Sequence, residues 1–183
     1  ARLNEISGRY SVMKDDFYLP ADGDLAAQSE DNKQGRSADA LPPTEAAAVR
    51  DRLRDGQLRS YKDYTGLLET GLAREIARIN LPLSLYTEMY WQIDLHNLFH
   101  FLELRLGAHA QKEIRLYAQT LLDISRHVAP RCCEAFERHI LGAVTFSKDE
   151  MLELKRRLAA GGSSSGKSVL DGKALARFEE KLT

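Results

Sequence analysis

Only two cysteines occur, and they are neighbours, Cys132 and Cys133. A disulfide framework and a paired-cysteine metal knuckle both need thiols spaced along the chain, so neither is expected. Scarce, unspaced thiols suit a reducing, cytoplasmic compartment. Neither sign of charge prevails, with 26 basic against 27 acidic side chains and a net charge of -1. The chain as a whole therefore has no general attraction for nucleic acid or an anionic membrane, and any anion it binds must be met by local arginines. A long apolar run is lacking too. The most apolar stretch, residues 81–106, is interrupted by Glu88, Asp94, His96, His100, Glu103 and Arg105, whereas a membrane span needs about 20 successive apolar residues. The opening ARLNEISGRY also lacks the apolar core of a secretory signal. A soluble chain is expected. What is present is 43% hydrophobic residues over 183 positions, enough to bury one sizeable core and to make one main domain.

Along the chain, residues 8–19 carry Tyr10, Val12, Phe17 and Tyr18 and stop at Pro20, which predicts a strand or a pair of short strands. Residues 21–44 turn to Asp, Gly, Ser, Asn and a Pro-Pro pair, the composition of a long mobile loop, in which Lys33 and Arg36 could cover a substrate. Thr44 and Glu45 then open a helical pattern, with Ala48, Leu53, Leu58, Tyr61, Tyr64, Leu68 and Leu72 recurring near a period of 3.6. Gly56 and Gly66 are candidate bends in it. Pro82 breaks the pattern, and a new helix is expected from Leu83 to Gly107. Its apolar side carries Leu85, Met89, Ile93, Leu98, Phe101 and Leu102; its polar stripe is Asp94, His96, Asn97, His100 and Arg105. Residues 109–128 predict another helix, stopped by Pro130, and residues 132–140 and 148–158 two shorter ones. GGSSSGKS then reads as a flexible tract, and the remainder as a polar tail with one or two amphipathic turns.

Four groups of residues bear on chemistry. Asn4, Glu5, Ser7, Gly8 and Arg9 combine a hydroxyl, glycine amides and a guanidinium in one short turn, which can cradle a phosphate or simply be a polar turn. Arg78 and Arg105 stand near helix ends, where an arginine is either a ligand for an anion or a partner of the helix dipole. His96 and His100 lie at i and i+4 on one helix face, the spacing of two zinc ligands. The glutamate that follows the first histidine in zinc proteases is absent here, and Asp94 and Glu103 do not obviously converge on the same point. Gly161, Gly166, Lys167 and Ser168 satisfy a phosphate-loop spacing, but they follow the charged stretch MLELKRRLAA instead of a buried strand, in a Ser/Gly tract where the match arises easily. Cys132, beside Arg131, could serve as an activated thiolate or, like most cysteines, as a small core residue.

The segment ARLNEISGRYSVMKDDFYLP, followed in order by RINLPLSLYTEMYWQIDLHNLFHFLELR and AHAQKEIR, resembles the flavin-dependent thymidylate synthases over roughly residues 1–20 and 73–126. That family's signature is an Arg-His-Arg triplet, seven residues and a serine. Ala1 to Ile6 supply six of the spacer residues and Ser7 the serine, so the triplet is expected one residue before Ala1. The resemblance implies an α+β fold, mostly helical in this chain with an N-terminal strand segment. Residues 1–158 would be the C-terminal portion of the family domain, with residues 159–183 a flexible tract and tail. It implies a homotetramer with active sites between subunits and no nucleic-acid or membrane partner. The implied reaction is FAD-dependent reductive methylation of dUMP to dTMP, with methylenetetrahydrofolate as carbon donor and NADPH as reductant.

Carried over by position, Glu5, the Ile6 backbone, Ser7, Gly8 and Arg9 would bind dUMP, Arg78 would reach it from another subunit, and Arg105 would stabilise the ionised pyrimidine as the catalytic arginine. Glu5, Asp94, Leu95, His96 and His100 would face FAD, with no metal. Many relatives have Asn, Arg and Asn where this chain has Asp94, His96 and His100, so its flavin contacts differ and it carries less positive charge for the pyrophosphate. Members of this family use no cysteine nucleophile. Without the triplet, weak FAD binding and no turnover are expected of these 183 residues alone. Two other classes compete: a helical interaction module without catalysis, and a zinc hydrolase built on His96 and His100.

Overall fold

The computed structural model describes residues 1–30, 35–161 and 168–182. They fall into two units, Ala1–Asp123 and Ile124–Thr183.

In the first unit, strand β1 (Arg2–Glu5) pairs antiparallel with β4 (Met89–Gln92), placing Leu3 opposite Trp91 and Glu5 opposite Met89. The strand expected over residues 8–19 therefore lies upstream, and of those residues only Phe17 forms a bridge, to Leu85. Two antiparallel bonds flank that bridge, from Tyr18 N–H to the Ser84 carbonyl at 2.8 Å and from Tyr86 N–H to the Asp16 carbonyl at 2.9 Å. The segment 21–44 also differs from the expected loop. It holds a 3-10 turn (Asp22–Asp24) and a hairpin of β2 (Ala26–Gln28) and β3 (Arg36–Ala40). Arg36 fastens this hairpin, donating to the Asp24 carbonyl at 2.6 Å and to Glu113 at 2.5 Å. Lys33 lies outside the described residues.

Helix α1 (Pro43–Glu69) runs through both Gly56 and Gly66, since a proline at its first position and good helix formers around the glycines outweigh their cost. It buries Ala46, Gln57 and Tyr64. A short α2 (Arg74–Ala77) and a 3-10 turn (Arg78–Asn80) follow. The helix expected from Leu83 starts only at Leu95, because residues 89–92 are drawn into pairing with β1. Asp94 caps α3 (Leu95–Leu106) by accepting from Asn97 N–H at 3.0 Å, and Gly107 ends it. Phe101 of α3 meets Trp91 of β4 edge-on, with ring centroids 5.3 Å apart, so α3 is seated beside the two-stranded ribbon. Leu102, Ala118 and Leu122 are buried core residues of α3 and of α4 (Lys112–Val128).

The second unit contains α5 (Pro130–Phe136), a π turn (Glu137–Leu141), α6 (Lys148–Ala159) and α7 (Gly172–Leu182). The last overturns the polar tail expected for this stretch, because Phe178 is 0% exposed and packs edge-on against Phe146. Ser147 and Glu150 form a capping box at the start of α6. Glu153 is buried, accepting from Arg156, Arg157 and the Val169 amide. These bonds, the one from Arg156 above all, hold its carboxyl far below the usual carboxylate range. No described helix is long and apolar enough to cross a membrane.

Candidate functional site

Where β1 ends, the chain folds into a tight turn. Ile6 N–H donates to the Glu88 carbonyl at 2.9 Å, and the amides of Tyr10 and Ser11 both reach the Ser7 carbonyl at 3.0 Å. The Ser7 hydroxyl accepts from Arg9 N–H at 3.3 Å. Among the described residues the amides of Ser7 and Gly8 donate to no acceptor, which leaves two backbone donors free at the turn. Gly8 is buried at its centre. A Cβ placed there would lie 3.0 Å from Met13 Sδ and 3.1 Å from Arg78 Cδ. The Arg78 side chain, 70 positions along the sequence, thus packs against the turn of its own chain that carries Arg9, where the expectation had Arg78 reaching the nucleotide from another subunit. Arg9 lies over the Tyr10 ring at 5.4 Å.

Glu5 points its carboxylate at Thr87, whose hydroxyl donates to it at 2.8 Å. A cleft of about 230 Å³ opens beside the turn, lined by Ile6, Met13, Lys14, Tyr86, Thr87 and Glu88 among others. Lys14 pairs with Glu88 there. Free amides together with guanidinium groups make a site for an anion with several oxygens, of which a phosphate monoester is the plainest case. Among the described residues Arg9, Arg78 and Arg105 form no ion pair, so their charges are uncommitted.

The flavin candidates sit at the start of α3. Asp94 spends both carboxylate oxygens on Asn97, at 3.0 Å to its amide and 2.6 Å to its side chain. These bonds, the backbone one first, hold its carboxyl below the ordinary value. Leu95 is half-buried, whereas His96 and His100 are exposed one turn apart, and His100 Nδ1 lies 3.8 Å from Glu103. Exposed imidazoles suit the oxygens of a pyrophosphate or ribose. The capping Asp94 suits hydroxyl groups and repels phosphate. The donor set is compatible with the phosphate and hydroxyl oxygens of a dinucleotide.

Arg105 is not gathered with the others. It lies about 15 Å along α3 from Leu95, and nine positions at 100° per residue turn it to the side opposite His96. Among the described residues no three metal-ligating side chains converge, so His96 and His100 lack a third partner. Cys133 is buried, and burial raises its thiol, while Cys132 is exposed. Gly166 and Lys167 lie outside the described residues, so half of the phosphate-loop match has no structural counterpart here. The supports of the turn, Met13 and the Tyr61 and Tyr64 hydroxyls, leave little trace in the sequence. Both tyrosines occupy apolar positions of the helical pattern, one turn apart.

Comparison with known proteins follows the same division. Residues 1–131 match the family model described as thymidylate synthase complementing protein, and residues 144–183 match the thymidylate synthase ThyX C-terminal domain. The chain is similar to the flavin-dependent thymidylate synthase of Treponema denticola, at 56% identity over 100% of this chain and 66% of that protein. The corresponding protein of Treponema pallidum is 50% identical, with 58% of its length covered. Among solved structures, a UMP/dUMP methylase, PolB from Streptomyces cacaoi bound with 5-Br UMP, superimposes with a TM-score of 0.69 at 30% identity, covering 75% of this chain and 63% of that one. The chain thus spans about three fifths to two thirds of the length of these relatives.

Proposed function

The chain belongs to the flavin-dependent thymidylate synthase family, and from that premise we propose that it carries the nucleotide turn and part of the flavin surface of an enzyme that reductively methylates dUMP to dTMP. The reading is supported above all by the Ser7–Arg9 turn, which carries two free amides and Arg9 and against which the Arg78 side chain packs. The solved relative bound with a brominated uridine nucleotide supports the same ligand class.

In this reading the Ser7 and Gly8 amides and the two guanidinium groups bind the dUMP phosphate, which fixes the pyrimidine relative to the rest of the site. Ser7 orients and does not attack, because among the described residues no histidine or lysine base bonds its hydroxyl, which accepts from Arg9 N–H. Arg105 faces the pyrimidine and favours negative charge on its ring nitrogen, making the acceptor carbon more nucleophilic. In this reading the active sites form between the subunits of a homotetramer. FAD, when bound, mediates transfer of the carbon and of hydride. Methylenetetrahydrofolate supplies the carbon and NADPH the reducing equivalents. His96 and His100 hold the flavin phosphates, while Glu5 and Leu95 border the cofactor. The free thiols of Cys132 and Cys133 agree with a cytoplasmic setting.

Calorimetric titration with dUMP, alongside the visible spectrum of the purified protein, tests this. Arg9→Gln and Arg78→Gln should each weaken dUMP binding by roughly tenfold to a hundredfold, the range for loss of a charge-assisted contact. Unaltered affinity in both variants would overturn the assignment of the turn.

A further inference from the structure

We infer that Tyr61 and Tyr64 are positioning residues for the nucleotide turn, acting through Met13. Met13 N–H donates to the Tyr64 hydroxyl at 3.0 Å, and the Tyr61 hydroxyl donates to the Met13 carbonyl at 3.0 Å. Two side chains of α1 thus grip the N–H and the C=O of one residue. Their own positions are fixed. Tyr64 is 1% exposed, the two tyrosine rings lie 5.8 Å apart, and Tyr61 meets Phe17 edge-on at 6.1 Å.

Met13, held in this way, lays its sulfur against Gly8 on the side where Arg78 also arrives. The contact lies five positions from the residue gripped, and the intervening chain is closed on itself by the paired amides at Ser7. Shifting Met13 therefore shifts Gly8, and with it the free amides and the seat of Arg78. A long helix, the most regular element near the site, thereby sets the geometry of a turn with no regular structure of its own. Placing a site on a rigid scaffold demands this kind of support. Ordinary core tyrosines would bury their rings and leave their hydroxyls to water or to one another. Here two hydroxyls one helix turn apart converge on the N–H and the C=O of a single residue, and that convergence supports a positioning role.

The inference rests on the dUMP reading above. Its test is Tyr61→Phe and Tyr64→Phe, each keeping the ring and removing one hydrogen bond to Met13. Calorimetry with dUMP, flavin content from visible absorbance, steady-state kinetics and the thermal midpoint are measured on the same preparations, in protein that carries the Arg-His-Arg triplet ahead of Ala1. A positioning role predicts that the dUMP Kd and KM rise by about fivefold to tenfold, the equivalent of one net hydrogen bond, while kcat and flavin content stay near wild type. Tyr61→Phe carries the test alone if Tyr64→Phe fails to fold, because Tyr61 is only half-buried. Unchanged dUMP affinity in a folded variant overturns the inference. So does a loss of flavin and kcat in step with dUMP, the mark of general damage. If the wild-type protein binds no dUMP at all, the reading of the turn falls and this inference falls with it. If wild type binds dUMP and Arg9→Gln does not, failure of the tyrosine variants to respond rejects the inference alone.

Discussion

Replacing Phe178 with alanine should remove the anchor of the second unit. The ring is 0% exposed, held edge-on against Phe146 at 6.0 Å, with the Arg157 guanidinium 4.9 Å from its centroid. Deleting a fully buried phenylalanine costs about 3–5 kcal/mol, because the lost transfer energy is joined by the cavity left behind. The edge-on ring pair places this case toward the upper part of that range, about 4 kcal/mol, since such a pair adds about 0.5–1.5 kcal/mol beyond its area. Domains are stable by only about 5–15 kcal/mol, and one of this size shifts by about 4–8 °C per kcal/mol, so α7 would stand near its unfolding limit at ambient temperature. Urea denaturation followed by circular dichroism measures the loss, and hydrogen exchange over residues 172–182 locates it. Phe178→Leu, closer in volume, should cost about 1 kcal/mol. A loss below about 1 kcal/mol for the alanine variant, or unaltered exchange in α7, would refute the packing of this helix.

Three further outcomes follow from individual contacts. The Tyr18 phenol is pushed up to about 12, first by burial and then by its hydrogen bond to Glu113, so its stabilising effect is complete below the ordinary tyrosine value near 10 and is lost as pH rises from there toward 12. Alkaline titration of tyrosinate absorbance should show this group ionising late, and Tyr18→Phe should reduce the alkaline fall in stability; an identical fall would reject the assignment. Gly8→Ala should weaken dUMP binding by about tenfold while costing under about 1 kcal/mol of stability, since the atoms it meets belong to the flexible side chains of Met13 and Arg78. Calorimetry and thermal melting on one preparation separate the two effects. In protein that carries the Arg-His-Arg triplet, replacing Cys132 and Cys133 with alanine should leave dUMP methylation intact, because the family uses no cysteine nucleophile and Cys133 is buried with its thiol raised; abolished turnover in the folded protein would sink the flavin-dependent mechanism.

What could be read from the sequence divides by the range of the interactions that decide it. Helices α1, α4 and α6 follow from periodicity and local stop signals, and a segment of that kind settles its own geometry. The helix expected from Leu83 begins instead at Leu95 for the opposite reason. Met89–Gln92 becomes a strand because Arg2–Glu5 lies across from it, a partner more than 80 positions away that no window of sequence contains. Residues 172–182 looked like a tail because one phenylalanine and a few small aliphatic residues make a thin apolar face. The structure shows that the thin face suffices when Phe178 enters a ready-made slot beside Phe146.

The site follows the same rule. Ser7, Gly8 and Arg9 were visible as a cluster because they are adjacent, and resemblance gave Arg78 its place among them. The packing of Arg78 on Gly8, and the bonds between Met13 and two hydroxyls on α1, span 48 to 70 positions of sequence. Periodicity therefore places Tyr61 and Tyr64 on the helix and carries no information about where their hydroxyls go. A tyrosine in an apolar stripe contributes a ring to the core and also an oxygen that needs a partner. Asking where that oxygen goes is what ties an unremarkable helix to the nucleotide turn.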